Sequence, residues 1–544
     1  MSIFRTKSIE QSLRDTDEPG RGLRKNLSAF HLTVFGVGVI IGTGIFVLTG
    51  QQAARNAGPA IVLSFALAGV VCALAALCYA EFASSVPVAG SAYTFSYATL
   101  GQFVAWIIGW DLCLELALGA AVVSRGWSAY LQELLNLPTW LAGDDAIPDF
   151  GAAFIVAALT IVAIMGAKLS GRVTGVLVVV KVAVVVFVIG LGLFFVKAAN
   201  YTPFIPPAEP SSKASGGDAP LLQILAGITP QHFGWFGIVA AASIVFFAYI
   251  GFDVVATTAE ETRNPQRDVP WGIIGSLIIC GVLYMATAFV VTGMVPFDQL
   301  DTAAPLAKAF DLVGQGWAAD LISLGAVCGI TSVILVLLLG QARVSFAMAR
   351  DGLLPPILAR VHPRYGTPWV MSAITGVVVA VLAAFVPLSE LSELTSIGTL
   401  FAFVVVSIGV IVLRRTRPDL PRAFRVPGVP WLPALSVLAS VWLMLNLPVI
   451  TWVRFLTWMA VGLVLFFVYG MRRAVLAEPA EPAGPAGPAG PAEPAGPAEP
   501  AGPADAAGST GSTGSNGSTG STGSAGAIED GGRSDIRSGP ADPS

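Results

Sequence analysis

The sequence predicts an all-α integral membrane fold of twelve transmembrane helices, the first ten arranged as five plus five in an inverted repeat and the last two added at the edge. Three observations predict it. Apolar residues make up 55% of the 544 residues and charged residues 12%, with a mean hydropathy of +0.75. The charges gather between apolar runs, each long enough for a hydrocarbon core of about 30 Å, which takes about 20 helical residues. Basic residues sort to alternate sides of those runs, and two runs, about two hundred residues apart, are broken by glycine at their centres.

The runs begin near Ala29, Ile61, Gly101, Gly151, Arg172, Phe236, Trp271, Ala318, Trp369, Leu394, Trp431 and Trp452. Cytoplasmic loops hold the excess of lysine and arginine in membrane proteins. With the amino terminus inside, twenty-one of the thirty basic residues fall on the cytoplasmic side and only Arg55, Lys197, Lys213, Lys308 and Arg454 outside. A miscounted span would swap sides partway and blur that contrast. The prediction is therefore a cell-membrane protein, multi-pass, with both termini cytoplasmic.

Residues 1–28 form a polar cytoplasmic segment without the short apolar core and small-residue cleavage site of a signal peptide. Residues 29–473 form the transmembrane domain. Residues 474–544 run through Pro-Ala-Glu and Pro-Ala-Gly units into Gly-Ser-Thr repeats, a composition that cannot bury enough apolar surface to fold and predicts a disordered tail. A dispensable tail and a regulatory one are both compatible with it.

The first broken run reads Val39-Ile40-Ile41-Gly42-Thr43-Gly44-Ile45-Phe46 and the second Phe246-Phe247-Ala248-Tyr249-Ile250-Gly251-Phe252-Asp253. Non-helical backbone inside a bilayer survives only where it lines a cavity or binds something, and paired breaks in two halves of a chain point to a substrate site near the midplane. Because five is odd, the second unit enters the membrane from the opposite side. A break at Gly42-Thr43-Gly44 exposes N–H groups at the start of one half-helix and carbonyls at the end of the other, each pole carrying roughly half an elementary charge. Such poles suit a zwitterion: a carboxylate on the N–H groups of Thr43 and Gly44, and an ammonium on carbonyls near Ile40 and Ile41, completed by those of Phe247, Ala248 and Ile250. A free amino acid fits better than a sugar or a simple ion. For Gly36, Gly38 and Gly42 close helix packing is the competing explanation.

Isolated charges within the runs are the other pointers. Asp253 closes the second break, where an intramembrane charge costs about 2.5–3.5 kcal/mol; it either balances a cationic ligand or locks the unwound segment by accepting its N–H groups. Lys181 stands in Val178-Val179-Val180-Lys181-Val182-Ala183-Val184 with no acid or histidine within a helical turn. Desolvation disfavours its ammonium form, which makes it a candidate for the coupling proton; a structural lysine bonded to helix-end carbonyls is the alternative. One charge moved through 100 mV releases about 2.3 kcal/mol, enough for a concentration ratio of roughly fifty. Asp111 and Glu115 share a face of the third run, Glu115 as a candidate pocket or gate acid and Asp111 as a structural partner. Glu81 and the Glu260-Glu261 pair lie near the cytoplasm, where solvation or pairing accounts for them.

No His-Glu-x-x-His, Gly-Lys-Ser/Thr phosphate loop or Gly-x-Ser-x-Gly elbow occurs, so neither metal-assisted hydrolysis nor ATP drive is indicated. The histidines (His31, His232, His362) are scattered, and the five cysteines fall in apolar runs without paired spacing. No nucleic-acid surface is indicated.

Gly42-Thr43-Gly44-Ile45-Phe46, Phe247-Ala248-Tyr249-Ile250-Gly251-Phe252-Asp253 followed by Glu260-Glu261-Thr262-Arg263-Asn264-Pro265, and Gly340-Gln341-Ala342-Arg343 through Ala349-Arg350-Asp351-Gly352-Leu353-Leu354-Pro355 resemble the amino acid–polyamine–organocation superfamily. Within it the chain is similar to the bacterial members of the cationic amino acid transporter group, from Leu23 to about Tyr469. The resemblance implies a leucine-transporter-like five-plus-five fold, alternating access and proton-driven uptake of amino acids. It also implies a lysine of the fifth helix in place of a sodium ion, a position Lys181 matches, although Thr331 and Ser332 could have supplied hydroxyl ligands to sodium. Ile330, aligned with a side-chain pocket position, is bulky and apolar and favours small or medium neutral substrates.

The expectation is thus a non-enzymatic secondary transporter importing neutral amino acids with a proton, without cofactor, metal, ATP, nucleic acid or an obligatory protein partner. A carrier or exchanger of cationic amino acids or polyamines is the nearest rival. A non-translocating sensor or channel is the rival of another class.

Overall fold

In the computed structural model, residues 27–85, 91–144, 146–166, 171–210, 217–256, 258, 262–420 and 422–471 are described. The Glu260-Glu261 pair, most of the amino-terminal segment and the tail from 474 onward lie outside them. The chain divides into two units, Met1–Glu481 and Pro482–Ser544, and every described residue belongs to the first.

Each apolar run folds as helix, because in an apolar surround the only economical place for backbone N–H and C=O groups is the intrahelical ladder. Among the described residues eight helices are long and apolar enough to cross a membrane, and four shorter apolar helices of 12 to 17 residues accompany them. We number the principal helices α1 to α12. The first, α1, runs Ala29–Ile40, breaks, and resumes as the wide turn Gly44–Leu48 and the helix Thr49–Gln52. Then come α2 (Ile61–Ser85), α3 (Gln102–Leu135), α4 (Phe150–Ile164) and α5 (Gly171–Gly192). The second broken element, α6, is Gly234–Val245, a 3-10 turn Phe246–Tyr249, and Phe252–Ala256. It is followed by α7 (Pro265–Met294), α8 (Gly316–Arg350), α9 (Trp369–Phe385), α10 (Leu388–Thr416), α11 (Trp431–Leu445) and α12 (Val449–Leu465).

Some helices start earlier than hydropathy suggests. Pro265 opens α7 six residues before the predicted Trp271, since proline at the first helical position costs no hydrogen bond. Asp149 opens α4 by accepting the Ala152 N–H at 2.9 Å.

Two groups of four emerge from the packing. The helix α7 lies against α1 and α2, and α6 against α2; separately, α8 lies along α3, and α9 against α3 and α4. Helix α5 touches α1, α7 and α8, so Lys181 stands where the groups meet. Small residues set the close approaches: Gly36 lies on Ser276, Gly38 on Val178 and Gly376 on Thr160, and an added Cβ at any of the three would collide. For Gly36 and Gly38 the packing explanation is therefore the one the structure supplies.

Candidate functional site

The two breaks touch. Ile41 leaves the helical region with ψ 99°, and Ile250 with ψ 139° followed by Gly251 at φ +120°, a value that favours glycine. Gly44 lies directly on the backbone of Ala248, with no room for a Cβ. In return, a Cβ on Gly251 would come within 2.8 Å of the Val39 side chain and 3.4 Å of the Ile40 nitrogen. Each break thus uses a glycine to seat the other.

Between them is a cavity of about 20 Å³, lined by Ile40, Gly42, Thr43 and Gly44 from α1 and by Phe247, Ala248 and Ile250 from α6. Eight of the predicted residues meet there, Glu115 being the eighth. Val39 joins them, and the remaining wall is apolar: Leu116, Val123 and Gly119 from α3, Val333 and Leu337 from α8. The space accommodates about one water molecule, so the site is closed down. Gln51 Nε2 donates to Asp144 Oδ2 at 3.0 Å and to the Thr302 carbonyl at 3.2 Å, and Arg55 pairs with Asp301 at 2.7 Å, all beyond the break in the second half of α1. At the other end the Arg263 N–H donates to the Leu27 carbonyl at 2.9 Å.

The backbone polar groups sort as two poles. Thr43 and Gly44 open the second half of α1, so their N–H groups have no preceding turn to bond to and form a positive pole at the cavity. On the carbonyl side, the expected free acceptors are partly taken. Lys181, fully buried, donates its Nζ to the Gly38 carbonyl and, at 3.3 Å, to the Ile41 carbonyl. The Tyr284 hydroxyl sits 2.8 Å from the Ile40 carbonyl and 2.9 Å from that of Ala248, and the Phe247 carbonyl accepts the Ile250 N–H at 3.1 Å. The carbonyl of Val39 has no donor among the described residues, which moves the open acceptor one residue back from Ile40.

Four predicted residues stand outside the cavity wall. Ile41 gives its carbonyl to Lys181. Asp253 accepts the Gly251 N–H on Oδ1 at 3.1 Å, the locking arrangement of the two weighed above. Ile330 is buried behind the wall, and the pocket positions of α8 are Val333 and Leu337, one and two turns further along. Lys181 lies behind α1, its stem against Gly329.

Glu115 is the one carboxylate on the wall among the described residues; its Oε1 has no hydrogen-bond partner, and neither oxygen of buried Asp111 has one. Glu81 is fully paired: Arg414 donates to it twice, at 2.9 and 2.6 Å, and the Val426 N–H donates at 2.7 Å. The Thr331 hydroxyl accepts from Trp127 at 2.9 Å and donates to the Val327 carbonyl, and Ser332 donates to Gly329. Both hydroxyls are thereby occupied by local partners.

Gly119 and Val123 follow Glu115 four and eight residues on, and so share its helix face. Tyr284 was not legible: a tyrosine in an apolar run carries no sign of which carbonyls its hydroxyl will reach.

Comparison with known proteins gives a consistent picture. The family described as Amino acid permease matches residues 27–469. The Methylthioribose transporter of Bacillus subtilis (strain 168) is 43% identical over 485 residues, 87% of this chain and 99% of that protein. The Branched-chain amino acid permease BcaP of the same organism is 45% identical over 488 residues, again 87% and 99%. Cationic amino acid transporter 4, vacuolar, of Arabidopsis thaliana is 39% identical over 427 residues, 77% of this chain and 68% of that protein.

Proposed function

Since the chain belongs to the amino acid permease family, within the amino acid–polyamine–organocation superfamily, and is a multi-pass membrane transporter rather than an enzyme, we propose that it imports small or medium neutral L-amino acids by proton-coupled alternating access. The observation that carries this reading is the contact of the two breaks, with an N–H pole, an open Val39 carbonyl and an apolar wall around one cavity. The carboxylate binds the N–H groups of Thr43 and Gly44. The ammonium binds the Val39 carbonyl with those of the α6 break. The side chain lies against Leu116, Val123, Val333 and Leu337, a wall suited to branched aliphatic groups, and one relative carries the name of a branched-chain amino acid permease.

The twelve-helix, five-plus-five arrangement, with both termini cytoplasmic, belongs to the same proposal. It is supported by the pairing of α1 and α2 with α6 and α7, and of α3 and α4 with α8 and α9. Lys181 is the coupling site: it holds the end of the first half of α1 when charged and releases it when neutral, so that proton and substrate bias one hinge.

A second reading, a cationic amino acid carrier, is favoured by one observation, the unpartnered Glu115 oxygen on the wall, and by the names of several relatives. Uptake of labelled leucine, arginine and methylthioribose into proteoliposomes, with and without an inward proton gradient, separates the readings. Gradient-dependent leucine accumulation is expected. Arginine uptake that exceeds leucine uptake would replace the neutral assignment, and binding without counterflow would replace transport by sensing.

A further inference from the structure

Tyr284 projects from the middle of α7 into the meeting point of the two breaks and is fully buried. Its ring is boxed by Phe65 and Tyr249, at centroid distances of 5.7 and 5.2 Å. Its hydroxyl oxygen lies 2.8 Å from the Ile40 carbonyl and 2.9 Å from the Ala248 carbonyl. A tyrosine hydroxyl has one proton, so it serves one of these carbonyls at a time. Among the described residues neither carbonyl has another donor. The junction between the breaks is therefore short of one protein hydrogen-bond donor.

We infer that Tyr284 is a positioning residue that steadies the junction of the two breaks in the unloaded protein, a task it shares with the substrate ammonium when the cavity is filled. The inference rests on the function proposed above. Ile40 and Ala248 both line the cavity, and a substrate ammonium carries three donors. With ammonium present, hydroxyl and ammonium together satisfy both carbonyls and the halves of α1 and α6 are held as one unit. With the cavity empty, the hydroxyl alone remains and holds one break at a time to α7, the bond that steadies the junction while the unloaded protein returns. Tyr284 thus matters most to the empty limb of the cycle, while the loaded limb has the ammonium to bridge the gap.

The test uses full-length protein in proteoliposomes with L-leucine as probe. Net uptake into empty vesicles requires the unloaded return; exchange into vesicles preloaded with leucine does not. Tyr284→Phe keeps the ring and removes the hydroxyl. Net uptake is expected to fall by up to about tenfold more than exchange, the size of one lost hydrogen bond. Both rates come from one batch of proteoliposomes divided before loading, so their ratio is independent of how much protein folds, and Tyr284→Met gives a second hydroxyl-free variant. Equal loss of both rates, no loss of either, or a raised KM in exchange with an unchanged ratio overturns the inference. Failure of the unsubstituted protein to move leucine in either mode would remove the proposed function itself, and this inference with it.

Discussion

Lys181 reaches α1 from α5 and donates to the carbonyls of Gly38 and Ile41, the last turn of a half-helix that otherwise ends unsatisfied. A cation at a helix carboxyl end is favourable, and loss of its charge turns charge-assisted hydrogen bonds to those carbonyls into weaker neutral ones. Lys181→Ala is expected to abolish accumulation driven by a pH gradient, measured as leucine uptake with the gradient imposed and collapsed; normal accumulation would refute the coupling role. Gly44→Val places a branched side chain against the Ala248 backbone, where even a Cβ does not fit. Loss of leucine binding is expected, read as loss of the ligand-induced rise in melting temperature. At this scale the glycines, Thr43 and Lys181 were legible because each breaks an apolar pattern. Val39, Val333, Leu337 and Tyr284 conform to it, and only the folded contacts select them.

Helix ends carry the second level of the account. The carboxyl end of α2 is tied to the end of α10 through Glu81, buried and held by Arg414 and the Val426 N–H, with Arg422 at 3.5 Å. Removing the acid leaves a largely buried guanidinium pair uncompensated, for which about 3–5 kcal/mol is typical and the low end applies here because Arg414 is partly exposed. Glu81→Ala is thus expected to lower the unfolding midpoint in detergent by several degrees, and an unchanged midpoint would show the clamp to be marginal. The broken helices were predictable as elements because the glycines there accompany a polar residue, Thr43 between Gly42 and Gly44 and Asp253 after Gly251, whereas lone glycines such as Gly38 and Gly376 serve packing. Their boundaries were less so: hydropathy locates the apolar stretch, while proline and capping residues such as Pro265 and Asp149 decide where the helix starts.

For the whole molecule, the contacts beyond the cavity describe a closed state. Gln51 and Arg55 join the second half of α1 to Asp144, Asp301 and Thr302, and Leu27 joins Arg263 at the opposite end. Transport by alternating access requires these two sets to open in turn. Cross-linking a pair of cysteines introduced as Arg55→Cys and Asp301→Cys is expected to stop uptake reversibly, restored by reduction; uptake that persists when cross-linked would place the entry path elsewhere. The membrane class followed from hydropathy and charge. The division into groups around α1/α6 and α3/α8 did not, because apolar faces without periodicity do not name their neighbours.

The claim that the α1 and α6 breaks form one amino acid site is tested most directly by a structure of the protein with L-leucine bound. The account predicts leucine between the breaks, its carboxylate on the N–H groups of Thr43 and Gly44, its ammonium within hydrogen-bond distance of the Val39 carbonyl and its side chain toward Val333 and Leu337. Leucine bound elsewhere, or either helix continuous through its glycine with the ligand in place, would contradict it.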